Sequence, residues 1–258
     1  RLLGRVGDAS AVPVLVSAAT EGGELAQAAA ESLVQLSGQG VDEAILKALH
    51  SAQGAQRVVL LQAVGERLLE AALPVALADM TSDDPRVRAA AIQALGMIVP
   101  LEQLDVLIGR LLQPRDDEEF QAVRNALMMA CSRMPDLDAA AAKLMAVWPK
   151  ASTRARVAIV DIFGAMGGQG ALRGLAQAAR DSEDDVQDAA TRVLGEWMSV
   201  DAAPVLLDLA RTGNPRYRIR ALRGYIRIAR QLDVPLNERI AMCREALAAA
   251  QRPEERRL

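Results

Sequence analysis

Residues Pro85–Val99, PRVRAAAIQALGMIV, decide the fold. Asp84, just ahead, suits a helix N-cap, and Pro85 suits the first helical position, where its missing N–H costs nothing. Val87, Ala91, Ile92, Leu95 and Ile98 recur at helical spacing, while Arg88 and Gln93 fall on other faces. The stretch predicts an amphipathic helix of about four turns.

The chain writes this helix again and again. With Gly96 as anchor, matching positions are Gly4, Val34, Gly65, Ser132, Gly164, Gly195 and Ile226, at spacings of 30, 31, 31, 36, 32, 31 and 31 residues. So regular a period predicts a solenoid. One residue before the anchors stand Leu3, Leu33, Val64, Leu95, Cys131, Phe163, Leu194 and Tyr225, a predicted buried column. Six before stand Ala28, Val59, Ala90, Ala126, Ala158, Ala189 and Arg220, a near-alanine column suited to close helix approach and broken at Arg220. Eight before stand Ala26, Arg57, Arg88, Arg124, Arg156, Gln187 and Arg218. Nine after, Pro13, Pro74, Pro204 and Pro235 mark the first turn of another helix. Between anchors lies a second apolar segment, such as AVPVLVSAA, LPVALADM or APVLLDLA. Each repeat is therefore a helix pair, and neither helix can bury its apolar face without its neighbours.

The run DDPRVRAAAIQALG, the proline in the first helix and the period near 31 resemble the HEAT-repeat family. The likeness is strongest to the short bacterial HEAT repeats also found in phycobilisome-lyase-like proteins. It covers essentially the whole chain and implies an all-α, right-handed α-α superhelix of about seven antiparallel helix pairs. Expected repeats are 8–40, 41–68, 69–100, 101–135, 136–167, 168–199 and 200–232, with partial repeats at 1–7 and 233–258. Both ends fall inside repeats, so a piece of a longer protein is expected. The family hosts many unrelated roles, so the resemblance speaks for fold rather than function.

Composition narrows the classes. The chain has 258 residues, 51% of them hydrophobic and 2% aromatic, and a formal net charge of −3. That aliphatic content suits stacked helices, and there is no apolar run long enough for a membrane span. Cys131 and Cys243 are far apart, and no disulfide is expected. His50 stands alone, without metal-ligand company. No HExxH, CxxC pair, phosphate loop or GxSxG occurs, so no catalytic residue, metal or cofactor is assigned. One HEAT-like group comprises DNA glycosylases, which need an acid beside aromatics in a basic groove. Phe163, Trp197 and Tyr225 read as core here, and the net charge has the wrong sign. Tetrapyrrole handling, which the lyase likeness suggests, finds no further support in the residues.

A non-catalytic interaction module is what remains. The second helix of each pair lines the concave surface in HEAT-like stacks, which exposes two rows. Three before the anchors run Glu31, Gln62, Gln93, Met129, Asp161, Arg192 and Arg223; one after them run Gln35, Glu66, Met97, Arg133, Ala165, Glu196 and Arg227. The expected partner-binding residues are Gln62, Glu66, Gln93, Met97, Met129, Arg133, Asp161, Arg192, Glu196, Arg223 and Arg227. The partner would be a protein, a peptide or a sister domain of the same parent chain. The module is electrically polarised: residues 1–110 carry 8 basic and 13 acidic groups, residues 201–258 carry 12 and 7.

Three charged features have a structural and a functional reading. The arginines eight before the anchors suggest a ladder bonded to inter-helix turns, with Asp84, Asp184 and Asn214 as acceptors. The acidic turn Gln113–Phe120, QPRDDEEF, takes up the 36-residue spacing and reads as a solvated cap, or else as a binding edge. Arg216, Arg220, Arg223, Arg227 and Arg230 are spaced 4, 3, 4 and 3 and share one helical face. They are either compensated by the acidic turn Asp181–Asp188 or are an anion-binding surface for nucleic acid or an acidic polysaccharide.

Overall fold

The computed structural model describes residues 7–253 and 255–257. Among the described residues there are fifteen α-helices and no strand. They are α1 Val12–Ala19, α2 Gly23–Gln35, α3 Val41–Ser51, α4 Gly54–Glu66, α5 Leu73–Asp79, α6 Pro85–Ile98, α7 Leu104–Leu112 and α8 Asp117–Arg133. There follow α9 Leu137–Val147, α10 Thr153–Met166, α11 Gly168–Ala178, α12 Asp184–Gly195, α13 Ala203–Thr212, α14 Arg218–Gln231 and α15 Leu236–Ala249. Seven pairs, α1/α2 to α13/α14, precede the extra helix α15, as the repeat predicts. Leu3 and Gly4 lie outside the described residues. The C-terminal remainder carries a single 3-10 turn at Glu255–Arg257 where a further helix start is expected.

The helix ends follow local chemistry. The Asp84 carboxylate caps α6 by accepting from the Arg86 N–H at 2.9 Å. The Arg86 guanidinium, and next the Arg86 N–H, hold the Asp84 carboxyl below the usual range. Asp136 and Ser152 cap α9 and α10 in the same way. Pro13, Pro74 and Pro204 sit in the first turns of α1, α5 and α13, each after one 3-10 turn. There the absent proline N–H leaves no helix bond unmade. Pro235 instead stands at the N-cap of α15.

The chain divides into two compact units, Arg1–Ala130 and Cys131–Leu258. In the first, the second helices α2, α4 and α6 stack in order; in the second, α10, α12 and α14 do. The predicted buried column is realised in both. Leu33, Val64 and Leu95 are fully buried in the first unit, and Phe163, Leu194 and Tyr225 are buried in the second. Each large aliphatic side chain so placed contributes about 1.5–3 kcal/mol of apolar burial.

Close approach is where the anchors matter. A Cβ added to Gly96 would lie 2.8 Å from the Ala126 Cα, and one added to Gly65 would lie 3.0 Å from the Ala94 Cα. In the second unit, a Cβ on Gly164 would stand 2.8 Å from Val193 Cγ1. At Gly65 and Gly96 backbone meets backbone, and at Gly164 backbone meets a valine side chain, because nothing larger than hydrogen fits between.

These contacts correct the register of the fourth repeat. Ala94 and Val193 each lie two residues before the anchors Gly96 and Gly195. The equivalent contact of Gly96 is Ala126, which makes Met128 the anchor of the fourth repeat, not Ser132. The helix starts agree: Val34, Gly65, Gly96, Met128, Gly164 and Gly195 are each the twelfth residue of their helix. Leu127, fully buried, takes the column place expected of Cys131, and Phe120 takes the place expected of Arg124. The surplus residues are not in the acidic turn. They extend α8 to 17 residues, where α6 and α10 have 14.

Candidate interaction surfaces on the second helices

The arginine column is a clasp. Each member is the fourth residue of its helix or its equivalent, so its side chain turns back towards the preceding turn. Arg57 Nη1 donates to the carbonyls of Leu49 and Ala52, both at 3.0 Å. Arg88 Nη1 donates to those of Ser82 (2.8 Å) and Asp83 (3.1 Å). Arg156 Nε reaches Trp148 O at 3.2 Å, and Arg218 Nε reaches Ala210 O at 2.7 Å. Gln187 does the same with its amide, donating to Asp181 O at 2.6 Å. Carbonyls left open after a first helix are thereby satisfied.

The carboxylate partners are other than expected. Arg57 Nε pairs with Asp79 at 2.7 Å, and Arg156 Nη1 with Asp181 at 3.2 Å. Asp84 caps its own helix, and Asp184 accepts from Arg216 and from the Tyr217 hydroxyl. Asn214 does meet the column, donating its amide to Gln187 Oε1 at 3.0 Å.

The acidic turn is only partly a solvated cap. Asp116 accepts from the Glu119 N–H at 2.7 Å, as a cap should. Glu119 itself is buried, with 3% of its side chain exposed. It lies 2.9 Å from Arg110 Nη2, accepts from the Arg115 N–H at 2.5 Å and stands 3.9 Å from Arg88. Since Phe120 replaces the clasp arginine in this repeat, the Glu119 cluster ties its two helices instead.

Of the expected partner-binding residues, Gln62, Glu66, Gln93 and Met129 are exposed on the first unit, with Met97 half-buried. On the second, Arg133, Arg192, Glu196 and Arg223 are exposed, and Asp161 and Arg227 half-buried. Arg192 and Asp161 pair at 3.3 Å between α12 and α10. The corrected register puts exposed Asn125 and Met129 on the two rows at α8, and leaves Arg133 in the helix extension. Asn125 was legible only through the helix start at Asp117.

The five arginines expected on one helical face do not all lie on a helix: Arg216 stands in the turn before α14, and the other four are on it. Arg216 pairs with Asp184, and Arg220 Nη1 with Asp188 at 2.9 Å, so the acidic turn does compensate two of them. Both guanidinium groups also lie 5.4 Å from the centre of the Tyr217 ring. Burial, and then the bond to Asp184, push the Tyr217 hydroxyl pKa upward. Arg227 donates Nε to Gly195 O at 3.0 Å and Nη2 to Trp197 O at 2.6 Å, closing the end of α12. Arg223 and Arg230 are exposed and have no partner among the described residues. Arg223, Ile226, Arg227, Arg230 and Gln231 line a shallow groove of about 200 Å³.

Other chemistry is sparse. His50 Nδ1 lies 2.7 Å from Leu46 O at the end of α3. Cys131 is buried, Cys243 exposed, and both are free thiols. Among the described residues no three His, Cys, Asp or Glu side chains are grouped to hold a metal ion. Among the described residues no helix is long and apolar enough to cross a membrane.

The HEAT-repeat family profile matches residues 42–128 and 141–225. The chain belongs to the HEAT-repeat family, whose all-α solenoid is typical of protein-interaction scaffolds. No curated protein matches it. Similar solved structures include the CpcE–CpcF complex of phycocyanin lyase from Nostoc sp. PCC7120, at 16% identity over 92% of this chain and 94% of that one, with a TM-score of 0.42. Human deoxyhypusine hydroxylase in complex with glycerol is similar at 20% identity over 96% and 99%, with a TM-score of 0.36. A designed armadillo repeat protein in complex with the peptide (KR)4 is similar at 17% identity over 93% and 91%, with a TM-score of 0.33.

Proposed function

We propose that the chain is a non-catalytic interaction module that binds a protein or peptide partner, or a sister domain, along its second helices. The observation that carries this reading is the side-chain pattern of those helices. Their buried columns are apolar, while the rows at Gln62, Glu66, Gln93 and Met129 and at Arg192, Glu196 and Arg223 are exposed and mixed in charge. Mixed polar rows with an occasional methionine suit many shallow contacts with an extended partner. Each unit offers such a row, neutral or acidic in the first and more basic in the second.

Peptide-display selection on the immobilised chain tests this. Selected peptides should lose binding to one of two variants, Gln62→Lys/Gln93→Lys/Met129→Lys or Arg192→Glu/Arg223→Glu. They should keep binding to a control altered at exposed positions away from the second helices, Lys47→Glu on α3 with Glu102→Lys in the 3-10 turn before α7. Peptides indifferent to both row variants, or no selectable peptide, would sink the reading.

Binding of a polyanion through the α14 arginines is the second reading, favoured by exposed Arg223 and Arg230. It has fewer cations to draw on than the sequence offers, because Arg216 and Arg220 already hold carboxylates. Nucleic-acid or polysaccharide binding would fall steeply with salt.

A further inference from the structure

We propose that the α14 groove docks an acidic amphipathic helix, which places two carboxylates on Arg223 and Arg230 and an apolar side chain over Ile226. This rests on reading the second-helix rows as a protein-binding surface, and names the partner chemistry at one end of it.

The argument begins with charge. Between Arg218 and Gln231, α14 carries five arginines and no acid. Like charges three or four residues apart on a helix repel. Arg220 is relieved by Asp188, but Arg223, Arg227 and Arg230 are not relieved by any carboxylate among the described residues. Arg227 is held by carbonyls, which satisfy its N–H groups without cancelling its charge. Three positive charges thus stand on two successive turns of one face, with the middle one fixed in place.

The groove excludes other occupants by size and surroundings. At about 200 Å³ it is smaller than the ~300–1,000 Å³ of a typical small-molecule site. It accepts a side chain of a longer partner, with Ile226 as its apolar floor. Base stacking, which sequence-indifferent binding of a single-stranded nucleic acid exploits, needs exposed aromatics. Trp197, Tyr217 and Tyr225 are all buried. Glu196, exposed just past the end of neighbouring α12, would repel a continuous polyanion but not a partner whose charges alternate with apolar residues.

Spacing then selects the partner's shape. Arg223 and Arg230 are seven residues apart, which is about 10.5 Å along a helix axis. A second helix lying alongside repeats its own face over the same two turns. Carboxylates at positions i and i+7 meet the two arginines, and an apolar residue at i+3 or i+4 meets Ile226. This is recognition of an amphipathic helix by a groove, with charged rather than purely apolar anchors.

The test uses fluorescence anisotropy with the full chain and a labelled, side-chain-stapled helical peptide bearing Glu at i and i+7 and Leu at i+4. The wild-type chain should bind it about tenfold more tightly than the same peptide with Gln at both positions. The double variant Arg223→Glu/Arg230→Glu, with unchanged circular dichroism, should lose that preference. A peptide with Lys at both positions should regain it on the double variant. Equal binding of the Glu and Gln peptides would overturn the proposal, as would undiminished binding by the double variant. Tighter binding of single-stranded DNA of similar length than of the Glu peptide would also overturn it, in favour of a polyanion site. If the Glu peptide shows no preference while selected peptides still depend on the other row residues, this inference fails and the broader reading stands. If none do, both fail.

Discussion

Glu119 and Arg110 meet at 2.9 Å inside the first unit, with only 3% of the Glu119 side chain exposed. Removing one partner of such a pair strands the other charge without repayment. Glu119→Ala should lower stability by about 2–4 kcal/mol, read as a shift of the urea midpoint at constant slope. Replacing both partners, Arg110→Met with Glu119→Leu, should recover at least half of that loss. A Glu119→Ala midpoint equal to the wild type would show that the cluster does not hold α7 to α8.

Two helical glycines should respond to alanine with opposite signs. At Gly96 the new methyl would meet the Ala126 backbone at 2.8 Å, and overpacking should destabilise by about 1–3 kcal/mol despite the better helix propensity. At Gly109, in α7, nothing lies within 4 Å of the added carbon. Gly109→Ala should therefore stabilise by about 0.5–1 kcal/mol. Thermal melts of the two single variants compare them directly.

The clasp should tolerate glutamine better than alanine, since Gln187 already performs it with an amide. Arg218→Ala should cost about 1–2 kcal/mol, and Arg218→Gln less than half of that. Chemical denaturation of both variants decides it; equal losses would mean that the Ala210 carbonyl gains nothing from the amide.

Burial pushes the Cys131 thiol from 9.0 up to about 12, against a smaller opposing pull from Arg133. Between these values the unfolded thiol has lost its proton and the folded one keeps it. The folded state then binds more protons, so this group's contribution to stability falls as pH rises from 9.0 towards 12. Cys131→Ala should make the alkaline decline shallower. At pH 8 a thiol reagent should label exposed Cys243 promptly, and Cys131 only after denaturation.

The period, the helix pairs and the buried columns were legible in the sequence because apolar positions at fixed depth recur wherever helices stack. The register of the fourth repeat was not. Ala122, Ala126 and Ala130 recur every four residues, and sliding a helix by four maps its apolar face onto itself. Only the helix start at Asp117 and the contact of Gly96 with Ala126 separate Met128 from Ser132. The clasp positions were legible too, but not all of their acceptors. A long guanidinium can reach several turns, and sequence fixes the donor's place rather than where its fork lands. Glu119 looked like one acid among several in a soluble run, and nothing local marks it as buried. The division of the α14 arginines into paired and free ones depends on which acids of the neighbouring repeat come within reach.

Arg57, Arg88, Arg156, Gln187 and Arg218 each fasten to a carbonyl at or just after the first helix of their own pair. Donor and acceptor therefore travel together in inheritance. A recombination event that copies or deletes one whole pair carries its fastener along and leaves no clasp side chain without its carbonyl. Such a chain can lengthen or shorten in whole steps of descent, whereas a cut within a pair would separate the two halves of the clasp and be selected against.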